Sequence, residues 1–193
     1  MRQPEEHPGA RMAVGLVHHP VLNRAGDTVT SSVTSLDVHD MARLCRTYGV
    51  GCLYVVTPLQ AQARLVERII AHWTQGYGSQ VNPERKEALT HVKVVDSIEQ
   101  MLDNYGLDVE GAAVMVTSAR TGKGVVSYAS ARDILARAPR AAVLFGTAHG
   151  LAGHAHELAN VRLAPIPGVD DYNHLPVRCA ASIIMDRLLG RGE

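Results

Sequence analysis

The sequence predicts an α/β protein with a mostly parallel sheet and helices on both of its faces. Short runs rich in Val, Ile and Leu recur along the chain, and stretches with helical periodicity separate them. Most of the runs show no alternation of apolar and polar residues, which is typical of strands buried on both faces. Alternation of strand and helix favours parallel strands joined by crossover helices. The predicted strands are residues 13–17, 52–56, 92–95, 112–117, 141–146 and 161–166.

The intervals between these strands carry helix signals. Asn82 before Pro83 predicts an N-cap followed by a proline in the first helical position, and Ser97 with Gln100 predicts a capping box. Gly106 stands where a helix would end. One further helix has an apolar stripe, made of Leu65, Val66, Ile69, Ile70 and Trp73.

The last helix is predicted from its apolar spacing. Its apolar face has small residues at its centre and consists of Val177, Ala180, Ala181, Ile184 and Leu188. Such a face suits close packing, either on the chain's own sheet or against a second copy of the chain. The preceding segment, residues 165–176, is dense in turn formers and polar groups, more than a simple helix entry needs.

Length and composition indicate one globular domain. The chain has 193 residues, 46% of them hydrophobic and 20% charged, and a formal net charge of zero. This length suits one domain with a substantial core. We expect residues 1–12 to be a flexible leader and residues 13–193 a single domain. The leader lacks an apolar signal core, so the expected location is the cytoplasm.

Cysteine and histidine patterns do not predict a metal site. Cys45, Cys52 and Cys179 are widely spaced within apolar elements, which fits reduced, packed thiols better than a disulfide framework or a nucleophile. The group His149, His154 and His156 matches no known ligand spacing. We therefore expect no metal in this protein.

Three loops after predicted strands are the expected ligand site, because such loops bind ligands in open α/β sheets. Their sequences are TSARTGKG, GTAHGLAG and PGVDDYNHLP. The first is not a phosphate-binding P-loop, since it lacks an earlier glycine and a following Ser or Thr, and no GxGxxG follows the first strand. An enzyme acting on a free nucleotide is therefore disfavoured.

The chain resembles the SPOUT, or α/β-knot, S-adenosylmethionine-dependent RNA methyltransferases over nearly its whole length. The resemblance rests on the segments LVHHPVLNRAGDTVTSSVTSLDVHDMARLCRTYGV, YVVTP, NPERKEAL, TSAR, FGTAHGL, PIPG and DYNHLPVRCAASIIMDRLLG. It implies a C-terminal trefoil knot, a homodimer with each site near the interface, and S-adenosyl-L-methionine as cofactor. The family pattern has a glycine and an aromatic residue in place of Ala148 and His149.

The resemblance also implies which residues bind the cofactor, with backbone groups of the knot surrounding the adenosine. The implied residues are Thr117, Ser118, Ala119, Leu144, Phe145, Gly146, Thr147, Gly150, Ile166, Gly168, Tyr172, Asn173, His174 and Leu175. The alternative for the last of these loops is an ordinary capped helix start, with Asp171 or Asn173 as the N-cap.

The RNA is expected to meet the first loop and helix. Helical spacing places His39, Asp40 and Arg43 on one face, and the resemblance implies a catalytic or phosphate-positioning role for Arg43. The expected catalytic residues are Arg43, His39 and Asp37, and the expected RNA-binding residues are Asn23, Arg24, Arg120 and Lys123. The alternative roles are local, with Asp37 and Asp40 favouring the first helical turn and Arg43 pairing with Asp40.

Two functions from different classes follow. The first is an RNA methyltransferase acting on tRNA or rRNA. The second is a catalytically inactive SPOUT-fold module that binds the cofactor and RNA, favoured by the zero net charge and by the altered FGTAHGL segment. Binding with methylation of RNA distinguishes the first from the second.

Overall fold

The computed structural model describes residues 7–170 and 172–191. A short 3-10 helix, Pro8–Arg11, precedes the first strand. The strands are β1 Met12–Val17, β2 Val21–Leu22, β3 Thr28–Val29, β4 Cys52–Val56, β5 Val92–Val95, β6 Ala113–Val116, β7 Val125–Val126, β8 Ala141–Gly146 and β9 Val161–Leu163. The helices are α1 Ser35–Thr47, α2 Gln60–Thr74, α3 Gly78–Val81, α4 Pro83–Thr90, α5 Ile98–Tyr105, α6 Tyr128–Arg137, α7 Gly153–Glu157 and α8 Val177–Leu189.

Seven strands form one parallel sheet in the order β5-β4-β1-β8-β6-β9-β7, and β2 and β3 form a separate antiparallel hairpin. The predicted parallel sheet is confirmed. The prediction for residues 161–166 was too long, because Pro165 has no N–H to donate to a neighbouring strand and β9 ends at Leu163. The strands β2, β3 and β7 are too short to produce a periodic pattern in the sequence.

The core lies on both faces of this sheet, because successive side chains along a strand point to opposite sides. Val14 and Leu16 pack on one face, which α1, α2, α4, α6 and α8 cover. Ala13 and Val17 pack on the other, which α5 and α7 cover. The prediction of helices on both faces is confirmed.

The predicted helix caps are also confirmed. The Asn82 side chain accepts a hydrogen bond from the Arg85 amide, and the Ser97 side chain accepts one from the Gln100 amide. Gly106 ends α5 in the left-handed conformation, with φ of +67°. These local sequence signals therefore set the ends of α4 and α5.

Two expectations about the core need correction. Residues 1–6 of the predicted flexible leader lie outside the described residues. Met12, the last residue of that predicted leader, is fully buried and begins β1, so it belongs to the core of the domain. Cys45 and Cys52 are buried, as predicted, whereas Cys179 is exposed on α8. The prediction of a packed thiol is therefore wrong for Cys179.

The apolar face of α8 packs on the chain's own sheet. Ala181, Ile184 and Leu188 are buried in the core, so this stripe is not free to form an interface between subunits. The predicted trefoil knot concerns residues 164–176, which are non-helical in the part that the structure describes. The knot itself stays a prediction. No helix among the described residues is long and apolar enough to cross a membrane.

Candidate functional site

A cavity of about 890 Å³ lies at the carboxyl ends of the sheet's central strands. Four loops surround it, namely residues 18–34, 117–124, 147–152 and 164–176, which follow β1, β6, β8 and β9. The cavity arises because β1, β8, β6 and β9 are neighbours and parallel, so their carboxyl ends share one edge.

Most of the residues predicted to bind the cofactor line this cavity. These are Thr117, Ser118, Ala119, Phe145, Gly146, Thr147, Gly150, Ile166, Asn173, His174 and Leu175. Leu144, Gly168 and Tyr172 do not line it. Leu144 is buried in the core, and its carbonyl oxygen accepts a hydrogen bond from Thr117 Oγ1. The Tyr172 side chain is exposed. A Cβ on Gly168 would lie 2.8 Å from the Tyr172 carbonyl oxygen, so this glycine permits a turn within its own loop.

Asn173 ties two of the loops together. Its side-chain Nδ2 donates to the Ala119 carbonyl at 3.1 Å and to the Ile166 carbonyl at 2.9 Å. No side chain caps α8, whose N-cap residue is Pro176. The alternative in which Asn173 is an N-cap is therefore wrong, and Asp171, the other candidate, lies outside the described residues.

The loop after β8 needs special backbone conformations. Gly150 has φ of +105°, and a Cβ on Gly146 would lie 2.7 Å from the Leu151 amide nitrogen. Ala148 has φ of +51°, a left-handed conformation that an alanine adopts at a cost of about 1–2 kcal/mol. The related family pattern has a glycine at this position. Glycine adopts the left-handed conformation without strain, which explains why the family has it there.

A buried histidine is linked to the cavity through two hydroxyl groups. His18 Nδ1 lies 3.0 Å from Ser31 Oγ, Ser31 Oγ lies 2.5 Å from Thr147 Oγ1, and Thr147 Oγ1 lies 3.0 Å from the Val17 carbonyl oxygen. A carbonyl can only accept, so Thr147 donates its one hydroxyl hydrogen to Val17. Ser31 then donates to Thr147 and accepts from His18. Ser31 and Thr147 therefore present lone pairs, and not hydrogens, to the cavity.

Burial lowers the pKa of His18 to about 4, although the nearby charge of Asp37 acts in the opposite direction. The ordinary pKa is about 6.5 in the unfolded chain, so between these values the unfolded state binds a proton that the folded state does not. The free energy of unfolding should therefore fall as pH drops from about 6.5 towards 4, by about 1.4 kcal/mol per pH unit from this group.

Urea denaturation at a series of pH values measures this dependence. His18→Asn is the matched variant, because an amide Nδ2 can replace the Nδ1 donor to Ser31 without titrating. The variant should show a shallower loss of stability over this range. Parallel curves for the two proteins would show that His18 is not the responsible group.

Charged side chains from two helices meet at one wall of the cavity. Asp37, near the start of α1, is almost fully buried and accepts a hydrogen bond from Thr34 Oγ1 at 2.6 Å. Arg178, in the first turn of α8, donates from Nη1 to Asp37 Oδ1 at 3.1 Å, and its Nε lies 3.3 Å from Asp40 Oδ2. Asp37 and Arg178 both line the cavity, so the site presents a carboxylate and a guanidinium side by side.

The other residues expected to be catalytic lie elsewhere. His39 packs edge-on against Trp73 of α2, with ring centroids 5.7 Å apart, and does not line the cavity. Burial and the charge of Arg85 lower the pKa of His39. Arg43 is exposed on α1 and does not line the cavity either. His39, Asp40 and Arg43 lie close enough on α1 for the charges of Asp40 and Arg43 to act on His39, but none of the three lines the cavity, because Asp40 faces α8 and His39 faces α2.

The residues expected to bind RNA are divided among three places. Arg120 lines the cavity. Asn23 closes the hairpin turn by hydrogen bonds with Asp27, and Arg24 is exposed at the tip of that hairpin. Lys123 lines a second, smaller cleft.

Sequence reasoning missed Ser31 and Arg178. A signal for Arg178 was present, because a cation in the first turn of a helix opposes the helix dipole and so needs a separate reason to be there. Ser31 carried no such signal within a loop of several Ser and Thr residues. His154 pairs with Glu99, and no group of three or more metal-binding side chains occurs within residues 7–170 and 172–191.

Comparison with known proteins gives relatives over most of the chain. A family model described as SAM-dependent RNA methyltransferase matches residues 11–190. A tRNA (guanine-N(1)-)-methyltransferase of Nitratidesulfovibrio vulgaris is 42% identical over 183 residues, covering 95% of this chain and 43% of that protein. An uncharacterized protein of Aquifex aeolicus is 32% identical, over 93% of this chain and 89% of its own length. The chain thus spans less than half the length of the first of these relatives.

Solved structures share the fold at low sequence identity. A TrmH/SpoU tRNA modifying enzyme of A. aeolicus has a TM-score of 0.58 and 17% identity, over 93% of this chain and 74% of that one. The SpoU methyltransferase AviRb of Streptomyces viridochromogenes, solved with AdoMet, has a TM-score of 0.55 and 11% identity, over 92% of this chain and 56% of that one. Because the family model matches residues 11–190, the chain belongs to the SAM-dependent RNA methyltransferase family, and its fold is that of the SPOUT group.

Proposed function

We propose that the chain binds S-adenosyl-L-methionine in the 890 Å³ cavity and transfers its methyl group to RNA, with tRNA as the substrate class. The observation that carries this proposal is the cavity itself, formed by loops of a chain that belongs to this family. The name of the N. vulgaris relative supports tRNA. More than half of that relative lies outside the match, so the guanine N1 position is not part of the proposal.

The cavity suits a nucleoside joined to an amino acid. Its volume lies in the ordinary range for sites that enclose small ligands. A Cβ added to Gly150 or Gly153 would meet no other atom within 4 Å, so both glycines border open space. The lone pairs of Ser31 and Thr147 can accept hydrogen bonds from ligand hydroxyl or amino groups. The cavity is also lined by apolar side chains, those of Leu22, Ile166, Leu175, Val177 and Ile184.

The cofactor would supply a methyl group already activated on a sulfonium. The chain then has to hold the acceptor nucleotide in line and manage its proton. In our proposal Arg178 orients the acceptor, because its guanidinium is fixed by two carboxylates and borders the cavity. Asp37, the one carboxylate that lines the cavity within the described residues, is placed to accept the proton. Asp37 was expected to be catalytic, whereas Arg178 takes the role that the sequence suggested for Arg43.

A second copy of the chain is part of the proposal. The family resemblance supports a homodimer, although the apolar stripe of α8 is used within the chain. Leu36, beside Asp37 on α1, and Leu175, at the cavity rim, both expose apolar surface. The two helix starts are joined through the Asp37–Arg178 pair, so this surface is continuous with the site. An interface there would place each site next to the partner subunit.

Calorimetry and a methylation assay test the proposed function. We expect one S-adenosyl-L-methionine per chain, and a stabilisation of about 3 kcal/mol when the free cofactor is present at 100 times its dissociation constant. Cofactor with a labelled methyl group should transfer label to unmodified tRNA, and mass spectrometry of the nucleosides identifies the modified position.

Three outcomes of these measurements have different meanings. Absence of both heat and thermal stabilisation by the cofactor or its demethylated product would refute the cofactor site. Binding of cofactor and tRNA without transfer of label would favour the inactive binding module. Label in rRNA but not in tRNA would correct the substrate class alone.

A further inference from the structure

A second cleft, of about 260 Å³, lies beside the main cavity. His156 lines both, so the two are adjacent. The smaller cleft lies between the loop after β6, which contributes Lys123 and Gly124, and β9, which contributes Arg162. It lies near the edge of the sheet formed by β7.

The direction of Arg162 follows from its position in β9. Val161 and Leu163 belong to the core on the face that α8 covers. Side chains alternate along a strand, so Arg162 between them points to the opposite face. That face is the one covered by α7, which carries His156. Lys123 lies two residues before Val125, the β7 residue that pairs with Arg162 in the sheet. Sheet and loop thus bring two cationic side chains and a histidine to one place.

The charges of this cleft are not compensated within the described part of the chain. No Asp or Glu lines the cleft, and neither Lys123 nor Arg162 forms an ion pair there. His156 Nδ1 is buried and has no hydrogen-bond partner. Burial and the charge of Arg162 lower the pKa of His156, as expected beside a cation that no acid neutralises. In a protein of zero net charge, such a cluster indicates a site for an anion.

We propose that this cleft binds a phosphate of the RNA backbone while the modified nucleotide occupies the main cavity. The proposal rests on the proposed function and adds the position of the RNA relative to the cofactor. S-adenosyl-L-methionine carries no phosphate, so a phosphate bound in this cleft has to come from the RNA. Contacts between Lys or Arg and phosphate fix the position of the nucleic acid without reading its sequence. The RNA would then run from the cavity past His156 towards β7.

The test is the affinity for unmodified tRNA, measured by fluorescence anisotropy at several salt concentrations with the demethylated cofactor bound. The cleft variant is a double substitution, Lys123→Gln together with Arg162→Gln. Each side chain is exposed, so the fold should be unaffected. The control is Arg68→Gln with Arg64→Gln, which removes two positive charges from exposed positions on α2. We expect the cleft variant to bind tRNA about tenfold more weakly than the control, and the slope of log affinity against log salt to decrease by about 2. Cofactor affinity should not change.

Each other result overturns the proposal in a distinguishable way. If cleft variant and control bind tRNA equally, the cleft does not contact RNA. If the cleft variant loses affinity for inorganic phosphate but keeps the full affinity for tRNA, the cleft is a site for a free anion. If the unmodified protein itself fails to bind tRNA, both this proposal and the RNA substrate of the proposed function are wrong.

Discussion

Replacing Arg178 by alanine is expected to lower the rate of methyl transfer to tRNA by about 10²- to 10³-fold, the usual cost of losing one fixed donor at a reacting centre. Arg178 borders the cavity, and Asp37 and Asp40 hold its guanidinium in a single orientation. Single-turnover measurements with labelled cofactor and saturating tRNA isolate the transfer step. The affinity for cofactor should change only slightly, because Arg178 is assigned to the acceptor.

Three further variants make this result specific. Arg178→Lys keeps the charge but cannot contact both carboxylates with the same geometry, so it should recover only part of the rate. Asp37→Asn tests the proton acceptor, with an expected loss of about 10²- to 10⁴-fold and a changed pH profile. Arg43→Ala, at an exposed position outside the cavity, should retain most of the activity. Loss of transfer in Arg43→Ala with full activity in Arg178→Ala would return the role to the residue that the sequence suggested.

Replacing Asn173 by aspartate is expected to weaken cofactor binding by about 100-fold. The amide Nδ2 donates to two carbonyl oxygens, of Ala119 and Ile166, which belong to different loops of the cavity. A carboxylate has no hydrogen to donate and would bring a negatively charged oxygen against both carbonyls. Loss of two hydrogen bonds, together with this repulsion, costs about 3 kcal/mol, and the loops should separate. Titration calorimetry with S-adenosyl-L-methionine measures the change.

Asn104→Asp is the control for this substitution. Asn104 is exposed on α5 and does not line the cavity, so the same chemical change there should leave binding unchanged. Circular dichroism should show that Asn173→Asp remains folded, because the affected loops lie outside the buried core. Tight cofactor binding by folded Asn173→Asp would show that the link between the two loops does not shape the site.

The sequence by itself determined the sheet and most of its helices. Apolar runs of four to six residues predicted the central strands because strands buried on both faces cannot alternate with polar residues. Asn82, Ser97 and Gly106 predicted helix ends because caps satisfy backbone groups within a few residues. Three of the four loops of the cavity were also predictable, since each directly follows a strand of a parallel sheet.

The tertiary structure decided which polar side chains meet in the site. Asp37 and Arg178 are 141 residues apart, and Ser31 and Thr147 are 116 apart, so no local spacing relates them. Helical periodicity grouped His39 with Arg43, but it cannot tell which face of α1 turns towards the cavity. Packing of α1 against α8 and α2 settles that choice. Zero net charge likewise conceals the cationic cleft, because a sum over the chain carries no information about which charges the fold places together.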